Sequence, residues 1–111
     1  DTSLFWSPDN HNLGFFTAKK LKRVDVSTGV VQIVYDIATI AAAGTWNDAG
    51  VILFSAFSRE GPAVMRIAAS GGGTPVAVTP PVDAAKEGVA LFPQFLPDGR
   101  HFLYHMVLAP G

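Results

Sequence analysis

Three times in 111 residues the chain repeats one phrase: an aromatic residue closes a short apolar run, an Asp- or Asn-based turn follows, and a second apolar run begins. Phe5-Trp6-Ser7-Pro8-Asp9-Asn10 leads into Leu13 to Phe16, and Thr45-Trp46-Asn47-Asp48-Ala49-Gly50 leads into Val51 to Phe54. Phe95-Leu96-Pro97-Asp98-Gly99-Arg100 leads into Phe102-Leu103-Tyr104. Each copy reads as a hairpin, because Asp side chains bond to nearby backbone amides and Gly tolerates positive φ. Asp9, Gly29, Gly72, Asp98 and Gly99 are the turn formers expected on this basis. A repeat of this length is one small supersecondary unit that buries its apolar faces only by stacking on its neighbours.

The first unit contains strands at Leu4–Trp6, Leu13–Thr17, Lys20–Val26 and Val30–Tyr35. In the third of these, alternation puts Leu21, Arg23 and Asp25 on one face and Lys22, Val24 and Val26 on the other. The second unit repeats the order with Ala43–Trp46, Val51–Phe57, Ala63–Ala68 and Pro75–Thr79. The third has two strands, one from Leu91 and one over His101–Leu108. Short apolar runs bounded by Gly, Pro, Asn or Asp are the mark of closely spaced strands. The Ala-rich stretches are too short for self-standing helices, so at most one helical turn is expected, at Asp83–Glu87. The dense runs Val51–Phe54 and Phe102–Tyr104 predict strands buried on both faces.

The search for chemistry is largely negative. A formal net charge of -1 with 15% charged residues provides no basic stripe for nucleic acid and no reason to bind an anionic membrane surface. No apolar run approaches the roughly 18 residues of a membrane span. Without cysteine there is neither a disulfide nor a thiolate metal site. In a strand His101 and His105 would stand roughly 13 Å apart, at about 3.3 Å per residue, too far to share a metal, and His11 completes no ligand spacing. Gly71-Gly72-Gly73-Thr74 lacks the lysine of a phosphate loop and lies between strands. No nucleophile elbow and no kinase motif is present, so neither catalysis nor a cofactor is expected of this segment.

Trp6-Ser7-Pro8-Asp9, Phe95-Leu96-Pro97-Asp98-Gly99-Arg100 and the Leu21–Gly29 strand and turn resemble the repeats of TolB-like, WD-repeat-like β-propellers. The likeness is greatest to propellers attached to bacterial receptor-type Ser/Thr kinases. Asn47-Asp48 in place of Pro-Asp and Phe95 in place of Trp depart from the pattern. The resemblance implies an all-β fold: a propeller fragment of about two and a half four-stranded antiparallel blades, with blade 1 over 1–41, blade 2 over 42–89 and the start of blade 3 over 90–111. It also implies a non-catalytic protein- or ligand-binding scaffold, sensory in a signalling protein, with an extracytoplasmic or periplasmic location. The alternatives are a free-standing TolB-like periplasmic interaction protein and the gating propeller of a serine peptidase.

In such blades an aromatic residue closing the inner strand wedges between neighbours, so Trp6, Trp46 and Phe95 are expected in the core. The repeat offsets add a site hypothesis. Phe15 and Phe54 are 39 residues apart, Val24 and Ile67 are 43, and Trp46 and Phe95 are 49. The second unit therefore gains residues after its second strand and again after its fourth, and both connections emerge at the same end of the sheet. Enlarged loops on one face are frequent partner sites, which nominates Arg59, Glu60, Asp83, Lys86 and Glu87. Two and a half blades do not close a ring, so unpaired edges and apolar faces are expected to recruit further blades of the same chain or a second copy.

Overall fold

The computed structural model describes residues 4–17, 19–37, 41–58, 61–78 and 90–107. All regular structure among them is β. Strands β1 (Leu4–Trp6), β2 (Asn12–Thr17), β3 (Lys20–Asp25) and β4 (Val31–Asp36) form one antiparallel sheet in chain order. Strands β5 (Ala41–Trp46), β6 (Val51–Ser58), β7 (Gly61–Ala68) and β8 (Val76–Ala77) form a second, and β9 (Ala90–Phe95) pairs with β10 (Phe102–Val107) in a third. The β5 strand begins at Ala41, so that residue belongs to the second sheet.

The registers superimpose the three units. Trp6 pairs with Leu13, Trp46 with Ile52 and Phe95 with Phe102. Phe5 and Gly14 are paired where the second sheet pairs Thr45 and Leu53. The turns follow the letters. Asp9 Oδ1 accepts from the His11 amide at 2.9 Å, and Asp98 Oδ1 accepts from Arg100 and His101. Gly29, Gly72 and Gly99 all adopt positive φ.

Alternation sends one face of each strand into a seam between sheets. In the first seam Phe5, Phe16 and Leu21 meet Ile52, Phe54 and Ile67, all buried. Phe16 and Phe54 have ring centroids 6.0 Å apart, and Phe5 lies 5.9 Å from Phe16 and 6.3 Å from Trp46. The other face of β6 and β7 carries Leu53 and Val64, against which Phe95 and Phe102 pack from the third sheet. Val51–Phe54 thus serves two seams at once, with Ile52, Leu53 and Phe54 all buried.

Three expectations change. Trp6 is not core: its side chain is 53% exposed, and the buried aromatic of β1 is its neighbour Phe5. Trp6 points to the outer face of the first sheet, where none of the described residues packs over it as the first sheet packs over Trp46. Leu103 and Tyr104 are exposed as well, because β10 is the edge of its two-stranded sheet. Finally, the extra residues after the second strand do not enlarge a loop. Thr17 pairs with Lys20 and Ser58 with Gly61, so both connections are two-residue hairpins. The addition appears as two further ladder pairs, Phe57 with Pro62 and Ser58 with Gly61, in strands of 8 residues where the first sheet has 6.

Candidate functional site

The five nominated loop residues, Arg59, Glu60, Asp83, Lys86 and Glu87, lie outside the described residues, as does the helical turn expected at Asp83–Glu87. Among the described residues a cavity lies at the end of the sheets where the turns after β1 and β5 sit. It is a cleft of about 490 Å³ at the top of the first seam. Ser7, Pro8 and Asp9 form one wall, Trp46 to Gly50 the other, and Ala68, Ala69 and Ser70 close the end. Asn12 and Arg23 reach in from β2 and β3.

Each wall is held by its turn. Ser7 is buried, donates its hydroxyl to Asp9 Oδ1 and accepts from the Asn12 amide at 3.0 Å. The Ser7 hydroxyl is also the main reason the Asp9 carboxyl titrates below its ordinary range, with the His11 amide second. Across the cleft Asn47 is buried, and its Oδ1 accepts from Ala49 and Val51. Its Nδ2 leaves the turn entirely and donates to the Gly99 carbonyl of the third turn at 2.8 Å.

That last bond explains why the cleft exists. Position 7 of the first sheet corresponds to position 47 of the second, each following the tryptophan of the repeat. Asn47 spans from its own turn to the next one and closes the second seam. Serine is shorter and is spent within its own turn, so the first seam stays open at the same height. The floor is polar. Arg23 is oriented by Gln32, whose Oε1 accepts from Nε at 2.9 Å and from Nη2 at 2.7 Å. Among the described residues no carboxylate pairs with that guanidinium, and neither the side-chain carboxamide of Asn12 nor the Trp46 indole N–H has a hydrogen-bond partner. Asp9 and Asp48 provide carboxylates at the rim. The cleft therefore offers donors, acceptors and both signs of charge around a half-buried indole.

Of the residues singled out from sequence, only Trp46 and Asp9 line this cleft. Phe95 packs on Leu53 and Val64, its amide donating to Thr45 Oγ1 at 3.3 Å. Asp98 and Gly99 belong to the third turn, where His101 lies in the turn rather than in the strand and places Nδ1 2.6 Å from Asp98 Oδ2. That contact, with the His101 and Arg100 amides behind it, lowers the Asp98 carboxyl to about 2. Ser7, Arg23 and Asn47 belong to the repeat phrases as turn or strand residues, Asn12 to none of them, and nothing in those phrases marks any of the four for binding. The signal that could have found them is the Ser-for-Asn difference at equivalent repeat positions.

No protein-family model matches the chain, and no curated protein matches it. Among solved structures it is similar to TolB from Acinetobacter baumannii, with a TM-score of 0.77 and 20% identity over 96% of this chain. The match covers 27% of the TolB chain, so this chain spans about a quarter of its length. The all-β architecture of antiparallel four-stranded sheets is thus that of a segment of a TolB-like β-propeller.

Proposed function

We propose that this chain is a non-catalytic interaction segment of a β-propeller, and that it receives a short polar peptide segment in the cleft between its first two sheets. The observation that carries this reading is the open upper end of the first seam, which presents a preoriented Arg23, the unpartnered Asn12 side-chain carboxamide and Trp46 indole, and the Asp9 and Asp48 carboxylates. Mixed donors and acceptors suit a peptide backbone, which offers both at every residue. Pockets of a few hundred Å³ with a few convergent polar groups are the usual form of a ligand site. An extracytoplasmic sensor role beside a receptor kinase is the wider setting suggested by Trp6-Ser7-Pro8-Asp9 and the Leu21–Gly29 strand and turn.

The chain has two tryptophans, one in the cleft and one on the outer face, and that allows a direct test. A panel of short peptides is titrated while both indole N–H signals are followed by NMR, with neutral sugars as the comparison set. Saturable shifts at Trp46, absent at Trp6 and lost in Ser7→Asn, support the reading. A panel that moves neither indole, or moves only Trp6, refutes it.

A further inference from the structure

Arg23 is the only cationic side chain among the described residues that line the cleft. Alternation puts it on the same face of β3 as Leu21, which is fully buried in the first seam, and two residues nearer the cleft end. Gln32, its cross-strand partner, accepts from Nε and Nη2 along one edge of the guanidinium. The other edge, formed by Nη1 and the second Nη2 hydrogen, keeps two parallel donors. That fork is the one a carboxylate fits.

The carboxylates near this end of the sheets are engaged elsewhere. Asp25, two residues along the strand, accepts from the Ser27 amide at 2.9 Å and from the Ser27 hydroxyl at 2.7 Å. Asp9 accepts from the Ser7 hydroxyl and the His11 amide, and its Oδ2 lies 3.6 Å from His11 Nδ1. Asp48 lies against the third turn, where a Cβ at Gly99 would stand 2.9 Å from its Oδ1.

The second sheet provides the comparison. Arg23 to Gly29 corresponds to Arg66 to Gly72, so the counterpart of Asp25 is Ala68, which lines the end of the cleft. Where the repeat's aspartate would have brought a carboxylate into the cleft, the chain has a methyl group. Arg66, the counterpart of Arg23, is paired across the sheet with Val76, which has no oxygen on its side chain to orient it, and Arg66 lines no wall of the cleft. An oriented arginine and an aspartate replaced by alanine thus meet at one place.

Given that the cleft receives a peptide as proposed above, we propose that it selects that peptide by a carboxylate, seated on the free edge of Arg23 with the Asn12 carboxamide as a further donor. The carboxylate is an acidic side chain or the peptide's own C-terminus, two sources with one chemistry. Charge-assisted hydrogen bonds to a guanidinium are about twice as strong as those between neutral groups, so the carboxylate decides among peptides of equal length.

The test uses a short peptide, acetylated and amidated, with a single glutamate; the same peptide with glutamine; and the glutamine peptide with a free C-terminal carboxylate. Each is titrated into the full chain at low salt, with the Trp46 indole N–H signal as the readout. A carboxylate-bearing peptide is expected to bind about tenfold tighter than the neutral one, a margin that added salt narrows. The tighter of the two carboxylate peptides identifies the source. Arg23→Gln abolishes the margin, Gln32→Val narrows it by giving Arg23 the setting of Arg66, and Arg66→Gln leaves it intact. Ala68→Asp restores the repeat's own aspartate and removes the margin with Arg23 in place. Equal affinity of the glutamate and glutamine peptides, with Trp46 still shifted, overturns the carboxylate and leaves the peptide reading standing. A margin that survives Arg23→Gln in a folded chain overturns the site. If none of the peptides moves Trp46, the peptide reading falls and the carboxylate falls with it.

Discussion

Between the first and second sheets contact is made by rings. Phe5 lies between Gly14 and Gly44, and a Cβ added at either would fall 2.3 or 2.2 Å from it, while Phe16 stacks at a tilt on Phe54. Between the second and third sheets the apolar patch is small, built on Leu53 and Val64, and the turns are tied instead by polar bonds from Asn47 to Gly99 and from the Phe95 amide to Thr45. Position 16 of the first sheet is phenylalanine, and its counterpart Ser55 is a buried hydroxyl without a hydrogen-bond partner among the described residues. The same backbone repeat thus supports two kinds of seam. A wedge leaves the turn end free to open into a cleft, and a tie at the turn end closes it.

Removing the wedge gives the largest effect. Phe5→Ala empties a ring-sized space in the first seam and is expected to cost about 3–5 kcal/mol, measured by denaturant unfolding. Gly44→Ala attacks the same seam from the other side by forcing a Cβ into the Phe5 ring, at about 1–3 kcal/mol. Because the two act on one space, Phe5→Leu should recover much of the Gly44→Ala loss. Independent, additive effects would show that the ring does not fill the seam as described.

Exchanging the tie comes next. Asn47→Ser leaves the Gly99 carbonyl without its donor and should cost about 1–3 kcal/mol, with hydrogen exchange speeding up in the third turn and not in the first. The converse change, Ser7→Asn, adds reach toward the second turn and closes the cleft, with a smaller gain of about 0.5–1.5 kcal/mol if the new bond forms. If Asn47→Ser loosens both seams equally, the tie is not local and the comparison fails.

How much of this was legible before the fold depends on the range of each interaction. The hairpins could be read because their causes are local: Asp9 and Asp98 bind amides two or three residues on, and Gly29 and Gly99 take φ values of 75° and 68° that other residues avoid. Strand order followed from the repeat, and the all-β sheet architecture followed from both. Burial did not follow, since Trp6 and Trp46 sit in nearly the same phrase and differ only in whether a sheet lies in front of them. Residue offsets also proved ambiguous. A count of inserted residues is identical for a longer loop and for two more rungs of ladder, and the strand pairing from Phe57 to Pro62 shows the second. The cleft depends on a difference of side-chain reach between Ser7 and Asn47, which becomes visible once the two turns are set side by side in space.

The third turn carries an Asp98–His101 pair next to the carbonyl that Asn47 ties, and it provides the smallest and most specific prediction. Asp98 is held to about 2 from an ordinary 3.8, first by the His101 ring and then by the His101 and Arg100 amides. A carboxyl whose folded value is depressed binds fewer protons in the folded chain than in the unfolded one, so its contribution is complete above 3.8 and is lost as pH falls toward 2. The group is exposed to solvent, so the loss is small, and it should appear as a modest fall in unfolding midpoint between pH 4 and pH 2 that salt partly flattens. Asp98→Asn removes that pH-dependent component while leaving the acceptor to the turn amides in place. Because Gly99 carries the carbonyl that Asn47 ties, protonating Asp98 should speed hydrogen exchange at the third turn before the first seam responds. An acid profile unchanged by Asp98→Asn would mean that the third turn is held by its tie to Asn47 and not by its own carboxylate.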